Sequence, residues 1–188
     1  MSEVAISVSD DAVEPAGQQG RPVRVFVSYS HDSAEHKQQV LSLCRLLRHL
    51  GVDIRVDEWD TDRRRDWYTW MTEQIEFADF IVVIASPGYR EAADGLGPPE
   101  RHRGVQTEAA LLRDHLHSDR VGWLPKMLPV ILPGRSIAEI PLFLQPFCAD
   151  FYTIGQINLH GSEELLRVLT GQPGYVCPPL GPIPALPT

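Results

Sequence analysis

Cysteine is scarce in this 188-residue chain: Cys44, Cys148 and Cys177 are odd in number and widely scattered. No disulfide framework and no metal-ligand spacing emerges from them, so a reducing cytosol is the simplest compartment and no metal site is expected. Long apolar runs are missing too. The longest, Phe80 to Ala85, is far too short to cross a bilayer. The N-terminal stretch has no basic start and no sustained apolar run, carrying Glu3, Asp10, Asp11 and Glu14 instead, which is not a secretory signal. Bases are outnumbered, 17 against 25 acids, for a formal charge of −8. That balance argues against general nucleic-acid binding, which needs a basic face to displace counterions. A soluble cytoplasmic protein with neither membrane nor nucleic-acid partners is the expectation.

Several α/β chemistries lack their motifs. No Gly/Lys/Ser phosphate loop and no Gly-rich dinucleotide turn follows the first strand. No nucleophile elbow is present. Ser30, His31 and Asp32 are consecutive, so their side chains diverge instead of forming a relay. A phospho-receiver would need acids after strand one and an aspartate after strand three, where this chain has Ser28-Tyr29 and Ser86-Pro87. His115 and His117, two apart on a helix, read as solvated surface residues. Trp67 and Trp70, at helical spacing, read as core packing before a ligand-stacking box.

What is present is an alternation of apolar strands and helix-period segments. Residues 1–21 read as a disordered leader, 22–170 as one domain, and 171–188 as a proline-crowded tail or linker. Val23 to Ser28 is rich in β-branched residues and predicts a first strand. Asp32 with Glu35 resembles a capping box, followed by a helix with Val40, Leu43, Leu47 and Leu50 on one face and Gly51 at its end. Val52 to Val56 predicts strand two. After a polar loop from Asp57 to Asp66, Asp66 caps a helix with an inner stripe of Trp67, Trp70, Met71, Ile75 and Ala78. Phe80 to Ala85, without polar alternation, suits a central strand buried on both faces. A long Gly/Pro loop leads to a helix from about Val105 to His117. Met127 to Leu132 and Phe151-Tyr152 predict two more strands, and Ser162 caps a last helix through Leu169. The order implies an α/β, flavodoxin-like open sheet of five parallel strands, order 2-1-3-4-5, with helices on both faces and any ligand at the carboxyl ends of the strands.

These residues also fit a known pattern. Val25-Phe26-Val27-Ser28-Tyr29-Ser30-His31-Asp32, then Gly51-Val52-Asp53-Ile54, Trp67-Tyr68-Thr69-Trp70-Met71, Ala85-Ser86-Pro87-Gly88-Tyr89, Gly104-Val105 with Glu108, and Leu128-Pro129-Val130-Ile131 occur in order. Together they resemble the SEFIR domain of the TIR-like superfamily over about Val23 to Thr170.

The resemblance implies an immune-type signalling domain that associates with itself or with other SEFIR or TIR domains. Some TIR-like domains are adaptors. Others cleave NAD between nicotinamide and ribose with a glutamate on the helix after the central strand, and Glu108 lies at that position. NAD is then a substrate, and no cofactor is expected.

Glu108 shares a helical stripe with Val105, Ala109 and Leu112, which places its carboxylate on the core-facing border. The alternative is a helix-flank acid, or one paired with Arg101 or Arg103. Many catalytic TIR domains carry a tryptophan one turn before the glutamate, where this chain has Gly104. Trp59 and Tyr29 are candidates to replace it, with Ser30 and Ser86 as possible donors to a ligand. For Trp59 the alternative is a loop anchor, and for the serines turn roles. Arg63, Arg64 and Arg65 form a candidate interaction loop, or simply a solvated one.

Overall fold

The structure is a computed structural model that describes residues 21–145 and 150–185. The expected leader, Arg21 excepted, and Cys148 lie outside the described residues. Strands β1 (Arg24–Ser28), β2 (Asp53–Arg55), β3 (Phe80–Ile84), β4 (Met127–Ile131) and β5 (Tyr152–Thr153) form one sheet in the order β2-β1-β3-β4-β5. Every pair is parallel. Helices α1 (Ala34–His49), α2 (Trp67–Phe77), α3 (Pro87–Ala93), α4 (Arg103–Ser118), the short α5 (Arg120–Trp123) and α6 (Glu163–Thr170) surround it. This is the flavodoxin-like architecture expected from the alternation of elements.

The two-residue period of the strands divides the core. Phe26, Ile81, Val83 and Ala85 face α2, α3 and α4, packing on Ile75, Tyr89 and Leu112. Val25, Val27, Val82 and Ile84 face the other way, onto Val40, Leu43 and Leu47 of α1 and Leu165 and Leu169 of α6. All but the first residue of β3 is fully buried, as its unbroken apolar run requires. Order reverses between β1 and β3, where Ser28 lies opposite Val83. The crevice beyond that point is where open α/β sheets hold ligands.

Several local expectations are corrected. Ser33, not Asp32, caps α1, its hydroxyl accepting from His36 N at 3.1 Å. Asp32 reaches across instead to accept from Gly88 N at 2.8 Å, and a Cβ on residue 88 would collide with that carboxylate. Trp67 does not face the core: it is 44% exposed, and the inner face of α2 carries Gln74 beside Trp70, Met71 and Ile75. Part of the region read as loop folds into α3, because Ser86 caps it and Pro87 fits the first turn, where its missing N–H is no loss. Ser162 precedes α6 but makes no capping bond. His115 is not a solvated surface residue, since its ring stacks on Trp123 at 3.7 Å and Nε2 lies 3.0 Å from Glu76. Residues 171–185 form no helix or strand.

Candidate functional site

Strand alternation sends Ser28 to the same side as Phe26, toward α4, one turn of which presents Glu108 between buried Val105, Ala109 and Leu112. The Ser28 hydroxyl donates to Glu108 Oε2, and Tyr89 Oη lies 2.9 Å from Ser28 Oγ. Tyr89 and Ser28 are buried, so the three groups form a chain running from α3 through β1 to α4. Burial pushes the Glu108 carboxyl up to about 8; Asp57 adds to that rise, while the Ser28 bond and His31 oppose it. Burial also raises the Tyr89 phenol far above its usual range, with Glu108 contributing. Neither Arg101 nor Arg103 forms an ion pair with Glu108 among the described residues; the partner is a hydroxyl.

Glu108 borders a cavity of about 320 Å³. Its walls are Trp67, Tyr68, Trp70 and Met71 of α2, with Asp57, Arg103, Gly104 and Thr107 completing the lining. Adjacent helical residues diverge by about 100°, so Trp67 and Tyr68 cannot both enter the core with Trp70. Trp67 instead packs edge-on against the Trp70 ring at 5.5 Å. The absence of a side chain at Gly104 therefore leaves room opposite two aromatic rings.

The other expected site residues lie elsewhere. Tyr29 projects to the opposite sheet face from Ser28, under the His31 ring at 4.9 Å. Ser30 Oγ lies 2.9 Å from His102 Nδ1. His102 begins α4 with φ of 51°, a left-handed conformation unusual for a non-glycine residue, and the Ser30 contact ties it to β1. Ser86 is spent on the α3 cap, accepting from Tyr89 N at 3.2 Å. Trp59 lines a separate pocket of about 510 Å³ with Arg45, Arg48 and Arg55, and the Arg48 guanidinium sits 5.9 Å from its ring centroid. Arg63 and Arg64 are exposed. Arg65 is not: its side chain is 12% exposed and bridges Asp60 at 3.1 Å and Asp62 at 3.3 Å. The structure thus groups Glu108 with Ser28, Tyr89, Trp67 and Tyr68. Besides Glu108, only the adjacent aromatics at the start of α2 offered a signal in the sequence, since a helix cannot bury both with Trp70.

The family model for the SEFIR domain matches residues 23–158. The chain belongs to the SEFIR family. The crystal structure of a prokaryotic SEFIR domain superposes with a TM-score of 0.57 at 27% identity, covering 84% of this chain and 98% of that one. Interleukin cytokine receptor-related protein 1 of Caenorhabditis elegans is 32% identical over 68 residues, which is 35% of this chain and 8% of that protein's length. This SEFIR domain is accordingly a TIR-like signalling domain, of a kind that typically engages other proteins. Its last helix, α6, follows the matched residues but still packs Leu165 and Leu169 into the shared core. Among the described residues, no helix is long and apolar enough to cross a membrane.

Proposed function

We propose that this SEFIR domain self-associates and, when assembled, hydrolyses NAD at the nicotinamide–ribose bond through Glu108. The observation that carries the reading is the placement of the Glu108 carboxyl, bonded to Ser28 at the carboxyl end of β1, on an aromatic-walled cavity. The cavity, about 320 Å³, is at the small end of the range for ligand pockets. That volume suits nicotinamide and its ribose, and Arg103 is the basic side chain on the lining available to a pyrophosphate.

The reaction asks little of the protein. The C1′–N bond breaks, its electron pair goes to the nicotinamide nitrogen, and water adds to C1′ through its oxygen, releasing one proton to solvent. Nicotinamide leaves neutral from a cationic nucleoside, so no second carboxyl is needed to protonate it, unlike ordinary glycoside cleavage. One ionised carboxylate stabilises the oxocarbenium-like state. Trp67 and Tyr68 on the cavity lining are the aromatic side chains available to the pyridinium cation. That cation also favours ionisation of Glu108, because an opposite charge nearby lowers a carboxyl pKa.

A second reading has its own observation. Glu108 is satisfied by Ser28, and its raised pKa keeps it largely neutral at pH 7, while Tyr68 and Phe77 on α2 are each 64% exposed. This pattern fits a homotypic adaptor without chemistry. Incubating concentrated protein with NAD and a crowding agent, and following nicotinamide release, separates the two. Steady release supports hydrolysis; a domain inert at every concentration and with every SEFIR or TIR partner tried supports the adaptor.

A further inference from the structure

The loop after β1 and the turn after β2 bring together three potential ligands from distant parts of the chain. His31 Nε2 lies 3.3 Å from Asp57 Oδ2 and 3.9 Å from Glu58 Oε1, and all three donor atoms fall within 4.8 Å of one another. Tetrahedral ligands at about 2.0–2.2 Å from a zinc ion are roughly 3.3–3.6 Å apart. The His31–Asp57 pair already has that spacing, and rotation of the longer Glu58 side chain closes the rest.

Tyr29 provides an independent observation. It is 5% exposed, and its hydroxyl is buried without a hydrogen bond of normal geometry, although it faces Asp57. Leaving a buried hydroxyl unsatisfied is costly, and water on an ion held by the three ligands would supply its partner. Lys37 Nζ, 2.5 Å from Glu58 Oε1, is the positive charge that such an ion would displace.

We infer that His31, Asp57 and Glu58 form a site for a divalent first-row transition ion, with water in the remaining position facing Tyr29. One imidazole beside two carboxylates suits Zn²⁺ better than Mg²⁺ or Ca²⁺, which favour all-oxygen shells. Asp57 also lines the Glu108 cavity. The site stands whether or not Glu108 is catalytic.

Calorimetric titration of the full chain with ZnCl₂ tests it, with circular dichroism to verify the fold of each variant. The wild type should show a saturable site that weakens roughly tenfold to a hundredfold or more in His31→Gln and Asp57→Asn, at least the loss typical of supporting-shell changes. Lys37→Met, which removes the competing cation, should bind more tightly. His115 and Cys177 remain in all three variants, so zinc held there would leave the stoichiometry unchanged. No saturable heat in the wild type, or the same stoichiometry and affinity in Asp57→Asn, overturns the site, as does Mg²⁺ binding as tightly as Zn²⁺.

Discussion

At the scale of single residues, Glu108 is where burial and charge conflict. Its folded pKa, pushed up to about 8 by burial, exceeds the ordinary carboxylate value. The native state therefore holds a proton that the unfolded state has lost. Stability contributed by the neutral form is full below the unfolded pKa and declines as pH rises toward 8. Glu108→Gln keeps the shape and can still hydrogen-bond Ser28 but has no titration. Thermal midpoints of the two proteins should converge near pH 4, and by pH 8 the variant should be the more stable, by on the order of a few kcal/mol. A difference that does not change with pH would show that the carboxyl is not desolvated. Ser28 acts in the opposite direction, since its hydroxyl holds the Glu108 pKa down. Ser28→Ala should move the midpoint of any Glu108-dependent titration to higher pH, and should cost about 1–3 kcal/mol by stranding the buried Tyr89 hydroxyl. An unmoved midpoint would mean the bond does not act on the carboxyl.

At the scale of elements, the entry to α2 decides the shape of the cavity. Asp66 accepts from Tyr68 N at 3.0 Å and Thr69 N at 3.2 Å, fixing the turn that holds Trp67 and Tyr68. Asp66→Ala should lower the urea midpoint and weaken ligand binding at the cavity, whereas Asp66→Asn, also a good cap, should restore both. Equal behaviour of the two variants would assign the effect to charge instead of capping. Asp66 and the apolar strands were legible in the sequence because caps and periodicity are local signals. The Asp32 capping box was misread because Ser33, one residue later, has the geometry to cap, leaving Asp32 free to bind Gly88. The α3 helix hid in a Gly/Pro-rich stretch. The core-border position of Glu108 was legible from its stripe, while its choice as the candidate came from the family resemblance; its contact with Ser28, 80 residues away, is a product of tertiary packing that no local pattern encodes. The same holds for the meeting of His31 with Asp57 and Glu58.

At the scale of the whole molecule, assembly and chemistry are linked in the proposed function. If self-association gates turnover, NAD cleavage should rise faster than linearly with protein concentration, and a strictly linear rate from dilute to concentrated protein would contradict gating. The exposed Arg63 and Arg64 are clean probes of the loop contact, whereas Arg65 bridges Asp60 and Asp62 and its reversal would disturb the loop itself. Reversing Arg63 and Arg64 to glutamate in a chain already at −8 should weaken association measured by sedimentation, most strongly at low salt. Unchanged association would remove this loop from the interface.

The central claim, that Glu108 carries NAD cleavage, is tested most directly by nicotinamide release from wild type and Glu108→Gln at matched, concentrated protein. The variant should fold and associate as the wild type does while losing roughly a hundred- to thousandfold in rate, the usual consequence of removing one preorganised electrostatic contact. Cleavage that persists undiminished in Glu108→Gln would contradict the claim and place the chemistry on another residue.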